Sequence, residues 1–223
     1  MNYHFQFDAV FAAWPLLLTG TINTIELSLA AMVIGFLIAV FCSWGKSSTI
    51  RPLHWFIDAY IETIRNTPFL IQLFFFYFAL PTVGLQMSAT TAALVAMFVN
   101  LGAFSTEILR AGVEAIPKGQ VEAGLALNLK RYQVFIHIVL RPALRKIFPA
   151  LSSQFILLML TSSIVSTISA DDLASVAANI QSLTFRSFEI YIVVTIIYFL
   201  LSLSFMGLFR LAWRRFLYYP EGR

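Results

Sequence analysis

Charge is what this chain has least of. Only 12% of its 223 residues are Asp, Glu, Lys or Arg, about half the roughly 25% usual in a soluble domain. Apolar residues make up 59% and mean hydropathy is +0.81, so lipid is the expected solvent. The single cysteine, Cys42, excludes an internal disulfide. His4, His54 and His137 are scattered, with no second ligand-type residue at metal spacing. No HExxH or GxSxG run occurs, so a membrane-embedded hydrolase has no support. The first twenty residues hold no Lys or Arg. A secretory signal needs a basic start, so none is expected and the mature chain should begin at or near Met1. Trp44-Gly45-Lys46-Ser47 resembles the end of a phosphate loop, but the glycine that motif requires falls at Val40. Lys46 therefore reads as a membrane-edge anchor.

What the chain does have is long uncharged runs. A helical crossing needs about 20 mainly apolar residues. Residues 27–45, 147–170 and 190–209 carry no charge, and residues 66–106 carry none over 41 positions. The last run is too long for one crossing, and Pro81 and Gly84 divide it into a hairpin. The predicted fold class is all-α: a polytopic membrane protein with five transmembrane helices at about 21–45, 67–84, 89–109, 144–166 and 189–209. Residues 5–18 read as an interfacial lead-in, and residues 110–143 as a long loop.

Orientation follows from Lys and Arg. Counted on alternate sides of five crossings, fourteen lie on one face and only Arg186 on the other. The fourteen mark the cytoplasm, so the N-terminus is predicted outside and the C-terminus inside. The same asymmetry accounts for the formal charge of +4 as a topology signal, and nucleic acid is not an expected partner.

Within the long loop, residues 119–129 (GQVEAGLALNL) predict a short cytoplasmic helix with a small-residue surface. Glu122 is expected in its first turn. Asn128, which tolerates positive φ, is expected to end it. Polar residues inside crossings are costly and become functional candidates: Gln72, Asn100, Gln154, Thr161, Ser162 and Ser166. Their competing roles are inter-helix hydrogen bonds for the amides and bonds to the helix's own carbonyls for the hydroxyls. Glu107 is expected to pair with Arg110.

Residues 122–145, EAGLALNLKRYQVFIHIVLRPALR, resemble the EAA loop of the permease subunits of binding-protein-dependent ABC transporters. Glu122, Ala123, Leu127 and Leu140 match; Gly124 stands for the third Ala, Asn128 for a Gly, and the family's Pro is displaced to Pro142. Residues 62–72 (ETIRNTPFLIQ) and 106–120 (TEILRAGVEAIPKGQ) resemble signatures of the bacterial polar amino-acid subfamily, and Asp172-Leu173 resembles its Pro-Glu-Leu position.

The resemblance implies one permease domain over residues 1–223, in the bacterial inner membrane. It also implies two ABC ATPase subunits, a second permease subunit (identical or homologous), a periplasmic substrate-binding protein and an amino-acid substrate. The short helix, with Gly119, Glu122, Ala123, Gly124, Leu127 and Asn128, would couple to the ATPase. No cofactor is expected on this chain; ATP and Mg would sit on the ATPase. Many relatives carry a charged pair where this chain has Leu160 and Thr161; its absence leaves substrate selection to the binding protein, or to a different second permease subunit that carries the charged site. A self-contained secondary transporter is the competing class. The sequence offers it neither an internal repeat nor an acidic residue deep in a crossing.

Overall fold

The computed structural model describes residues 4–217, and among them every regular element is helical. A short helix α1 (Asp8–Ala12) leads into α2 (Trp14–Lys46). Pro15 stands in the first turn of α2, where a missing N–H costs nothing. The 33 residues of α2 span about 50 Å at 1.5 Å per residue, well over the thickness of a hydrocarbon core. The interfacial lead-in expected over residues 5–18 is thus partly the first turn of this same helix.

Helix α3 (Arg51–Arg65) and helix α4 (Phe69–Phe74) meet at an elbow bent by 109°. Pro68 supplies an extended residue there, with ψ 139°, and the residue before a proline is itself pushed out of helical geometry. Helix α4 continues through a π turn (Phe75–Ala79) and a 3-10 turn (Leu80–Val83). Gly84 then reverses the chain at φ +89°, the left-handed region open to glycine. Ser88 caps α5 (Ala89–Glu114) by accepting the Thr91 N–H at 3.1 Å.

Helix α6 (Lys118–Ala126) follows. A short α7 (Arg131–Gln133) then runs through a π turn (Val134–Leu140) into α8 (Arg141–Thr161). Pro142 has no N–H to give and crowds the carbonyl four residues back; the widened turn just before it relieves that conflict. Residues 131–140, expected in the loop, are therefore helical. Helix α8 passes into a 3-10 turn (Ser162–Ile168). Then come α9 (Leu173–Thr184) and α10 (Ser187–Ala212), the latter extended by a π turn (Trp213–Leu217).

Four of these helical runs are long and apolar enough to cross a membrane, or five if the bent α3–α4 pair counts as one. Helix α5 lies at the centre, with 61% of its most apolar window buried, against 11% for α10 at the edge. Helices α2 and α5 pack closely over small residues, including Ala31, Ala39, Ala93 and Ala96. At Gly35 a Cβ would come within 2.9 Å of the Phe98 carbonyl, so only glycine permits this approach. On the outside, Phe41, Phe78, Phe199 and Leu208 are exposed, a lipid-facing surface by composition.

Candidate coupling helix and polar clusters

At the Lys/Arg-rich end of the molecule, Pro117 opens α6 in an extended conformation. Asn128 closes the turn after it at φ +59°, and the Leu129 N–H reaches back to the Gly124 carbonyl at 3.3 Å. That is the left-handed ending expected of Asn128. Glu122 sits one turn further in than expected, because the helix begins at Lys118.

The two faces of α6 differ. Gly119, Glu122, Ala123, Leu127 and Asn128 are exposed, Leu127 by 76%. Glu122 has no ion pair among the described residues. Gly124 faces the other way. It is buried on the π turn before α8, where a Cβ would lie 2.4 Å from Ile138 Cδ1 and 3.3 Å from Val134 Cγ2. Gly124 thus lies apart from the exposed residues of the small-residue surface: its lack of a side chain lets α6 seat on the π turn. Small residues in a short helix do not by themselves reveal which face each will take.

The intramembrane candidates also divide. Gln72 and Asn100 meet, the Asn100 amide donating to Gln72 Oε1 at 3.0 Å. Gln72 Nε2 in turn donates to the Ile64 carbonyl at 2.7 Å, the Thr67 carbonyl at 3.0 Å and Thr67 Oγ1 at 2.9 Å. Both residues are buried and brace the α3–α4 elbow against α5. Ser162 is fully buried and donates to the Met159 carbonyl at 2.7 Å. Thr161 and Ser166 donate to the carbonyls of Leu157 and Ser163 but keep accessible surface, as does Gln154. Among the candidates, the accessible ones are thus Gln154, Thr161 and Ser166.

Glu107 accepts from Arg110 Nε at 3.1 Å, as expected, and also faces Arg65 at 3.8 Å. Lys46 ends α2 in a 2.6 Å ion pair with Asp58. A cation at a helix C-terminus answers the negative end of the dipole, the opposite of a phosphate cradle.

At the far end of the molecule lies a cluster that sequence reasoning missed. Asp172 is fully buried and caps α9, accepting the Ser175 N–H at 2.8 Å. Tyr198 of α10 donates to its other oxygen at 3.4 Å, and Thr24 of α2 accepts the Leu173 N–H at 3.0 Å. Nearby, fully buried Glu189 accepts the Gln6 N–H at 2.9 Å and faces Arg186 at 3.9 Å. The signal for α9 was present: an Asp followed by apolar residues at 173, 177 and 180 reads as a capped helix.

Burial pushes the Asp172 carboxyl up to about 6 against the hydrogen bonds from Ser175, Ala174 and Tyr198, and the neighbouring Asp171 adds to the rise. A raised value means the fold favours the protonated acid. Its contribution to stability is complete below the unfolded value of 3.8 and is lost as pH rises through about 6. Asp172→Asn keeps the cap acceptor and removes the titration. The difference in Tm between wild type and Asp172→Asn is expected to fall across about pH 4–6 and stay flat above and below. A difference that does not change with pH would place the titrating group elsewhere.

The model of the binding-protein-dependent transport system inner membrane component matches residues 31–218. The arginine transport system permease protein of Bacillus subtilis (strain 168) is 34% identical, over 91% of this chain and 94% of its own length. The glutamine transport system permease protein of Escherichia coli (strain K12) is 32% identical, over 95% and 97%. The crystal structure of an amino acid ABC transporter with histidines superposes with a TM-score of 0.85 at 37% identity, covering 96% of this chain and 100% of that one. The family match over most of the chain, together with relatives above 30% identity along nearly its whole length, makes this protein a member of the binding-protein-dependent transport system inner membrane component family.

Proposed function

We propose that this chain is the transmembrane permease subunit of an ATP-binding-cassette importer. It would carry a polar amino acid from a periplasmic binding protein into the cytoplasm of a bacterium by alternating access across the inner membrane. It is the non-catalytic partner: ATP and Mg are held by separate ATPase subunits, and a second permease subunit completes the path. Its N-terminus lies outside, its C-terminus and α6 inside, with the spans near the predicted boundaries. Relatives named for arginine and glutamine support the substrate class.

The observation that carries this reading is the division of α6. Its outer face offers small side chains, exposed Leu127 and a Glu122 without an ion pair among the described residues. Its inner face is locked through Gly124 to the turn that starts α8. A push on the outside is thereby delivered to a membrane-spanning helix. Gln154, Thr161 and Ser166 are the accessible polar groups proposed to line the path beside the second permease.

Leu127→Asp tests the outer face. Leu127 is exposed, so little change in stability is expected, within about 0.5 kcal/mol. Burying a carboxylate in a protein contact weakens association by at least about tenfold. Co-purification of the ATPase and amino-acid-stimulated ATP hydrolysis should both collapse, with membrane insertion intact. Full ATPase association and uptake by this variant would overturn the assignment of α6.

A further inference from the structure

Behind α6 lies a cavity of about 500 Å³ that the transport reading does not use. Its walls are apolar: Trp44 from α2, Val113 from α5, Leu125 from α6 and Phe135 from the π turn before α8. Its rim is polar, with Ser48, Thr49 and Arg131. Arg131 is exposed and has neither ion pair nor hydrogen bond among the described residues, and the Thr49 hydroxyl is likewise uncommitted. The volume is within the usual range of ligand pockets.

Location narrows the ligand. The cavity opens at the Lys/Arg-rich end of α2, beside half-exposed Trp44 and exposed Ile50. The adjoining α3 exposes Trp55 and Phe56, each by 66%. Exposed tryptophans at a helix end mark the level of lipid headgroups. An apolar chamber at that level, with an unpaired guanidinium at its mouth, matches an amphiphile with an apolar tail and an anionic head. A free phosphate would leave the walls unused, and a neutral lipid would leave Arg131 unanswered.

We propose that this cavity binds an anionic phospholipid from the leaflet at the Lys/Arg-rich end. Its acyl chain would lie against Trp44, Val113, Leu125 and Phe135, and its phosphate on Arg131 and the Ser48 and Thr49 hydroxyls. Such a lipid would touch α2, α5, α6 and the π turn together, bracing α6 against the spans. The inference does not depend on transport or on its direction.

The test uses the full chain purified with the subunits it assembles with, in nanodiscs of phosphatidylcholine. The probe is phosphatidylglycerol or phosphatidylcholine with a photoreactive group on the acyl chain. Peptides from residues 44–50 and 125–135 should be labelled about fivefold more by the phosphatidylglycerol probe, the effect of one cation near a headgroup. Arg131→Gln should erase that preference and Arg131→Lys should keep it; the lysine variant controls for folding. Equal labelling by the two lipids, indifference to Arg131→Gln, or labelling confined to other peptides would overturn the proposal. So would labelling that appears only after the partner subunits are stripped away, since the cavity would then serve a protein.

Discussion

Gly124→Trp is expected to abolish uptake while leaving the chain inserted in the membrane. The hydropathy and the charge asymmetry that direct insertion lie elsewhere in the chain and are untouched. What changes is the seat of α6. Even a Cβ at Gly124 would lie 2.4 Å from Ile138 Cδ1, and an indole cannot be placed there without lifting the helix. Overpacking of this kind costs roughly 1–3 kcal/mol, enough to shift the seated population by about 5-fold to 150-fold. ATP hydrolysis and transport should separate, because α6 would no longer pass its movement to α8. Gly124→Ala should show a partial loss, and Ile138→Ala in the same chain should restore part of it by removing the obstructing methyl. Rescue by a residue on the inner side is the signature of packing, which a clash with the ATPase would not produce. Normal uptake by Gly124→Trp would defeat the coupling role of α6 altogether.

Gln72→Leu is expected to produce the second-largest effect, on stability rather than on substrate affinity. One amide holds together four groups: two backbone carbonyls at the elbow, the Thr67 hydroxyl and Asn100. Inter-helix hydrogen bonds in membranes average only about 0.6 kcal/mol. Leaving the buried Asn100 amide without its acceptor costs more, about 1–3 kcal/mol where water cannot reach. A net loss of about 2 kcal/mol would lower Tm by roughly 4–8 °C in a chain of this size. Nicking by protease at residues 66–67 should rise with it. Asn100→Leu breaks one bond and should cost less, and the double variant should fall short of the sum because the two share that bond. If Gln72→Leu left Tm unchanged and instead raised the KM for the transported amino acid, Gln72 would belong to the path.

These two residues illustrate where one-dimensional reading stops. Gly124 and Gln72 were both legible as unusual: a small residue in a short helix, an amide in an apolar run. Their directions were not. Gly124 is decided by Ile138, fourteen positions away, and Gln72 by Asn100, twenty-eight positions away. Helix α9 is hard to read for a different reason: it follows an uncharged run and a pair of aspartates, the composition of a loop. The helical turn after Lys130 was obscured by Pro142, whose conflict with the helix is resolved by a π turn that no local propensity announces.

The amino-acid sequence alone determined that this chain is built of apolar helices, roughly where they run, and that a short helix ending at Asn128 stands apart from them. Each of those follows from a local quantity: the length of chain without charge, or the tolerance of one residue for positive φ. Tertiary structure alone decided which polar groups are already satisfied, which face of α6 is free, and that a cavity with Arg131 at its edge lies behind it. Those depend on which distant side chains meet, and hydrogen bonding and van der Waals exclusion act over a few ångströms of space whatever the separation along the chain.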